Sequence, residues 1–189
     1  MTRIIGGSVG GQRLSTPRGR ATRPTSDRVR EALFSALESW SGSLTGLRFL
    51  DLYAGSGAVG LEARSRGAGV VTLVEQDRRT AALIRDNARA LRLDHVEVLH
   101  GAVADVLRRP PVAPYDAVFA DPPYPTPDLE VSRALQALVD GGWLVPGAVV
   151  VVERGTRGSS HVWPEGLVGE RDKRYGETVL RYGRAARTG

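Results

Sequence analysis

The sequence predicts an α/β fold built on a parallel sheet covered on both faces, and three observations carry that prediction. From residue 47 onward, short runs rich in Val, Leu and Phe alternate with segments whose apolar residues recur at helical spacing. The apolar runs are nearly continuous, as in strands buried on both faces. Turns carrying Gly or Pro punctuate the chain, with no internal repeat and no low-complexity tract beyond the N-terminal end.

Taken in order, residues 1–22 are rich in Gly, Arg, Ser and Thr. Arg3-Ile4-Ile5 is β-prone, and Gly6-Gly7 and Gly10-Gly11 are turn signals, so this end reads as a small hairpin or a mobile arm ahead of one domain over 23–189. Pro24-Thr25-Ser26-Asp27 is a helix start with Thr25 or Ser26 as cap. Val29, Ala32, Leu33, Ala36 and Leu37 form an apolar stripe to about Trp40, and Ser41-Gly42-Ser43 ends it. The segment 47–53, LRFLDLY, is a buried strand, followed by a glycine loop and a helix from Val59 to Arg66. Strands are predicted at 70–77, 96–101, 115–124 and 148–154, and a last extended segment within 174–183. Helices are predicted at 78–91, 103–109 and 129–139.

A chain of 189 residues is long enough for one domain with a sizeable core, and 41% hydrophobic with 25% charged residues is ordinary for a globular protein. The absence of cysteine excludes disulfides and thiolate metal sites. His95, His100 and His161 lack metal-ligand spacing, so no metal is expected. No apolar run reaches the roughly 18 residues of a membrane span and no signal-peptide core is present, which predicts a cytoplasmic protein with no membrane partner. The net charge of +5 is concentrated at one end: residues 1–30 hold seven arginines against the single acid Asp27, a net of +6. Arginine favours bidentate phosphate contacts and stacks on bases, so nucleic acid is the partner this end fits. The segment 171–187 is basic too, either a second RNA surface or an edge hairpin with a charged face.

Three residue groups fall at predicted strand ends, where ligands bind in such sheets. Gly55, Gly57 and Gly60 in AGSGAVG match G-x-G-x-x-G, which read alone fits a dinucleotide as well as another adenosine cofactor. Asp51, just before the loop, suits a cationic ligand and opposes a pyrophosphate. Glu75 ends the next strand, where a carboxylate accepts hydrogen bonds from ribose hydroxyls. Asp121-Pro122-Pro123-Tyr124 follows the fourth strand. Successive prolines fix the backbone and remove two donors. Asp121 and the Pro122 carbonyl can each accept one N–H of an exocyclic amine, localising its lone pair, while Tyr124 stacks on the base, worth roughly 1–3 kcal/mol.

In this order, DLYAGSG, VEQD and DPPY resemble the amino-methyltransferases that use S-adenosyl-L-methionine. RIIGG near the start, RPTSDRVREALFSAL at 23–37 and FLDLYAGSGAVGLEARSRGA at 49–68 narrow the likeness to the ribosomal RNA small-subunit methyltransferase D family, over most of the chain. The resemblance implies a Rossmann-like methyltransferase fold with a mostly parallel seven-stranded sheet and a small basic N-terminal arm or β-hairpin. It implies methyl transfer to the exocyclic N2 of a guanine in 16S rRNA, in the 30S subunit or an assembly intermediate; a monomer is the default expectation. Carried over, Asp51, Ala54, Gly55, Ser56 and Gly57 line the methionine and ribose end of the cofactor, Glu75 holds the ribose and Gln76 lies beside the adenine. The wider superfamily often has Asp or Asn after the third strand, whereas this chain has Gly101-Ala102-Val103, which leaves the adenine contact to backbone at Ala102 and Val103. Asp105 is a helix-surface acid. Arg3, Arg13, Arg18, Arg20, Arg23 and Arg28 would contact RNA phosphates. The DPPY chemistry is shared with DNA adenine-N6 and cytosine-N4 methyltransferases, but no sequence-reading domain is evident beyond the arm; a non-catalytic RNA-binding protein is the remaining alternative.

Overall fold

The computed structural model describes residues 2–18, 26–157 and 163–187. Thr25, Arg20, Arg23 and His161 lie outside the described residues.

At the N-terminus, β1 (Thr2–Arg3) pairs antiparallel with β2 (Arg13–Leu14), so of the two expectations for this end the hairpin is the one observed. Helix α1 (Asp27–Ser41) is capped by the Ser26 side chain, which accepts from the Val29 N–H at 3.2 Å. It stops at Gly42, whose φ of +77° few other residues adopt. The alternating part then runs β3 (Arg48–Leu52), α2 (Ala58–Ser65), β4 (Val70–Glu75), α3 (Arg78–Ala90), β5 (Val96–His100), α4 (Val103–Leu107), β6 (Tyr115–Ala120), α5 (Asp128–Asp140) and β7 (Leu144–Gly155). It ends in β8 (Leu167–Tyr175) and β9 (Thr178–Ala185).

Seven strands form one sheet in the order β5-β4-β3-β6-β7-β9-β8. The first five in that order are parallel, and β9 runs antiparallel to both its neighbours. The extended segment expected within 174–183 therefore straddles a turn and belongs to two strands. Of the two expectations for 171–187, the edge hairpin with a charged face is the one observed. β8 had no predicted bounds because this edge strand, LVGERDKRY, is exposed along nearly its whole length and lacks an apolar pattern.

Alternating strand residues build two cores. Phe49, Val71, Leu73, Ala117, Phe119, Val149 and Val151 pack against α1, α2 and α3 on one face. Leu50, Leu52, Val74, Val118, Val150 and Val152 pack against α4 and α5 on the other. A third cluster, with Ile4, Leu14, Leu61, Ala88 and Leu91, seats the N-terminal hairpin on α2 and α3.

That seat is locked by a buried carboxylate. Glu62 on α2 is fully buried and accepts from the Ile5 and Gly6 N–H groups, each at 2.8 Å. It also pairs with Arg30 Nε at 3.2 Å and Arg66 Nε at 2.9 Å. Arg30 is itself fully buried and donates to the Arg3 carbonyl. One of the seven N-terminal arginines is thus a structural cation joining hairpin, α1 and α2.

Candidate active site

Strand order reverses at β3, which has β4 on one side and β6 on the other. A ligand crevice is expected outside the strand ends at such a point. A cleft of about 1490 Å³ opens there. The register brings its halves together: Asp51 pairs with Phe119 and Leu52 with Ala120, so the glycine loop after β3 and Asp121 after β6 leave adjacent strands side by side. Residues some 70 positions apart in sequence thereby share one site.

Each glycine of the loop has its own physical cause. Gly55 (φ +58°) donates its N–H to Glu75 Oε2 at 2.8 Å. Gly57 (φ +83°) begins α2, and a Cβ there would stand 2.9 Å from the Ile84 side chain. Gly60 lets α2 close on the sheet, since a Cβ would meet Leu73 at 2.5 Å. Its N–H donates to Asp51 Oδ2 at 3.0 Å. One of the first-turn amides that a phosphate could have used is therefore already taken by an internal carboxylate.

Asp51 is 1% exposed, and the Gly60 N–H is its one hydrogen bond among the described residues. Burial pushes its carboxyl up to about 8; the Gly60 N–H pulls downward and the charge of Glu75 adds to the rise. A buried carboxylate at the cleft with no cationic partner is a site made for a cation supplied by a ligand. Glu75 is also nearly buried, and its other oxygen accepts from the Asp77 N–H at 3.0 Å. Each of its oxygens keeps a second lone-pair direction for a ligand hydroxyl.

Opposite, Asp121 is half-buried, Pro122 buried, and Tyr124 79% exposed, its ring open for stacking. The Pro123 carbonyl accepts from the Thr126 N–H at 2.9 Å and closes the turn; the Pro122 carbonyl takes no hydrogen bond among the described residues.

Of the residues expected to hold the cofactor, Asp51, Ala54, Gly55, Ser56, Glu75, Gln76 and Val103 line this cleft together with all of Asp121 to Tyr124. Gly57 and Ala102 do not; they act as the N-caps of α2 and α4. Asp105 is exposed and pairs with Arg108 at 3.1 Å. Arg13, Arg18 and Arg28 are exposed on the N-terminal side, while Arg3 is exposed but pairs with Asp27 at 3.4 Å.

Sequence reasoning missed the far wall. Glu153 to Arg157 and Tyr175 to Thr178 also line the cleft, as does Arg181. Arg154 donates to the Thr126 carbonyl at 2.8 Å and to Asp128 at 3.1 Å, bracing the segment after Tyr124. Tyr53, at φ +60°, also faces the cleft, its phenol pushed up to about 12 by burial and by Glu130, so it stays a neutral donor. The rule that ligands gather at strand ends, applied to the end of the fifth predicted strand, would have pointed to Glu153 and Arg154.

The family model described as Conserved hypothetical protein 95 matches residues 2–184. The chain is 36% identical over 179 residues to Ribosomal RNA small subunit methyltransferase D of Escherichia coli K12, covering 95% of this chain and 87% of that one. It belongs to the ribosomal RNA small subunit methyltransferase D family. The member from Haemophilus influenzae is 36% identical over 154 residues, 80% of this chain and 77% of that one. The solved structure of yhhF from Escherichia coli superposes with a TM-score of 0.84 at 34% identity, over 99% of each chain.

The cofactor of this methyltransferase is S-adenosyl-L-methionine. The residues present fit it: the uncompensated buried Asp51 matches a ligand with cationic centres, and Glu75 offers acceptor positions suited to a ribose. No helix among the described residues is long and apolar enough to cross a membrane.

Proposed function

We propose that this chain methylates the exocyclic N2 of a guanine in 16S rRNA, on the 30S subunit or an assembly intermediate, and acts as a monomer. The observation that carries the reading is the β3–β6 register, which sets the glycine loop and the buried Asp51 beside Asp121-Pro122-Pro123-Tyr124 in one cleft. The family's name for its other members supports ribosomal RNA as the substrate.

In this reading Asp51, Ala54, Gly55 and Ser56 hold the methionine and ribose end, Glu75 accepts from the ribose, and Gln76 and Val103 border the adenine, with Gly57 and Ala102 shaping the turns behind them. The bound cofactor supplies a methyl group already activated on a sulfonium. What the chain adds is orientation and exclusion of water. Asp121 and the Pro122 carbonyl each accept an N–H of the guanine amine, turning its lone pair toward the methyl. Asp121 need only hold the proton that becomes acidic as the N–C bond forms, so no strong base is required. Tyr124 stacks on the base, which must leave its own stack at a cost of a few kcal/mol unless it lies in a loop. The N-terminal arm, residues 1–22, with Arg3, Arg13, Arg18 and Arg20, together with Arg23 and Arg28 just after it, offsets part of that cost through contacts to phosphates.

The test is transfer of radiolabelled methyl groups to 16S rRNA and 30S particles from a strain lacking this gene, with the modified nucleotide mapped by primer extension. Transfer to a single guanine, lost in Asp121→Ala while cofactor binding persists, is expected. Transfer to duplex DNA instead, or unchanged transfer by Asp121→Ala, would overturn the reading.

A further inference from the structure

The far wall of the cleft is the tip of the C-terminal hairpin. Three strands end there in a row: Gly155 of β7 pairs with Thr178 of β9, and Thr178 pairs with Tyr175 of β8. The Thr156 N–H donates to the Glu177 carbonyl at 2.9 Å, tying the end of β7 to the β8–β9 turn. The opposite side of the same cleft is lined by Thr2, Thr16, Pro17 and Ser26 of the N-terminal end. The base-holding segment after β6 thus lies in a cleft bounded at one side by the basic arm and at the other by the hairpin.

The charges of the hairpin are not evenly spread. Further back, its acids are paired across strands: Glu170 with Arg184 at 3.2 Å and Asp172 with Arg181 at 3.6 Å. Near the tip, Lys173 and Arg174 on β8 and Arg157 just past β7 are exposed, and none makes an ion pair among the described residues. Arg174 makes a single backbone contact, to the Gly176 carbonyl at 3.1 Å, which holds it against the turn. Charges that merely guard an edge strand against pairing can be of either sign and lie along the strand. Here the three cations near the tip have no ion-pair partner among the described residues: Arg157 lines the cleft and is not on the edge strand, while Lys173 and Arg174 stand within two residues of Tyr175, which lines it.

Resting on the reading that the substrate is RNA, we propose that Arg157, Lys173 and Arg174 form a second phosphate-contacting rim, gripping the RNA backbone on the far side of the target base from the N-terminal arm. Two grips flanking one base resist its return to the stack, which a single arm cannot do.

The experiment compares wild type with Arg157→Gln/Lys173→Gln/Arg174→Gln and with Arg89→Gln/Arg108→Gln/Arg109→Gln, which removes the same charge from surfaces that do not line the cleft. Filter binding to 16S rRNA from the deletion strain is measured from 50 to 300 mM KCl. Each lost phosphate contact should lower the slope of log affinity against log salt by about 0.7 to 0.9, so the rim variant should lose about 2 and the control less than 1. In methyl transfer at 150 mM salt, KM should rise about tenfold or more with kcat and cofactor affinity unchanged. Equal slopes for the rim variant and wild type, or equal losses in rim and control variants, would overturn the proposal. If wild type does not methylate 16S rRNA, the proposed function fails; the binding slopes still decide the rim by themselves.

Discussion

Replacing Asp51 by Asn removes a buried titratable carboxyl while keeping an oxygen to accept the Gly60 N–H, so geometry is preserved and ionisation is isolated. In the folded protein without ligand, the carboxyl of Asp51 is pushed up to about 8 from a usual 3.8. Between those values the folded state holds a proton that the unfolded chain has released. Stability must therefore fall as pH rises through that window and level off above about 8. Within it the folding equilibrium changes by up to tenfold per pH unit, which from pH 6 to pH 8 amounts to about 2 kcal/mol. Other groups titrate alike in both proteins, so the gap between Asp51→Asn and wild type should widen by that amount in favour of the variant. Urea unfolding at pH 6, 7, 8 and 9 measures it. A difference that does not change with pH would refute the account of Asp51 as a carboxyl held protonated by burial. The same variant should bind S-adenosyl-L-methionine about tenfold or more weakly, the scale of a lost charge-assisted hydrogen bond.

Two further outcomes follow from the packing and the cleft. Glu62→Gln puts an amide NH₂ where a carboxylate oxygen accepts from Ile5 and Arg30 or from Gly6 and Arg66, and leaves the buried Arg30 with only the half-exposed Asp27, at 3.2 Å, as counter-charge. The loss should be about 3–5 kcal/mol in guanidinium unfolding and nearly independent of added salt, and a loss under about 1 kcal/mol would contradict it. Tyr124→Ala should raise KM for RNA about 5- to 150-fold, the worth of one base–aromatic stack, while Tyr124→Phe stays near wild type; a deficit shared by both would shift the role to the hydroxyl.

Much of this molecule is legible in its sequence because the parallel strands are buried on both faces and so stand out as apolar runs. Helix starts were equally plain where a side chain caps them, as at Ser26. The β8–β9 hairpin was legible only as one of two alternatives for 171–187, because an exposed edge strand has no apolar face and its turn at Gly176-Glu177 looks like any polar stretch. The site divides the same way. Asp51, Glu75 and Asp121 could be found because each carboxylate stands at or just past a strand end, Asp51 shortly before the glycine loop and Asp121 beside Pro122. The far wall was legible only in part: the end of the fifth predicted strand offers Glu153 and Arg154, but strand order alone decides that Gly155 and Thr178 lie across from Tyr53 and Asp121. Arg30 illustrates the opposite error: as one more arginine in a basic segment it reads as a phosphate ligand, and only its burial against Glu62 reveals a cation that RNA never meets.

The clasp on Glu62 changes how truncation should be read. Cutting away the first residues removes two amide donors and the Arg3 carbonyl from a fully enclosed cluster, stranding a carboxylate and a guanidinium on two helices whose N-terminal ends line the cleft, one of them directly after the glycine loop. A shortened chain that has lost activity would therefore report on a loosened scaffold as much as on lost RNA contacts. Point changes at the exposed Arg13, Arg18 and Arg28 separate the two, because they leave the clasp shut.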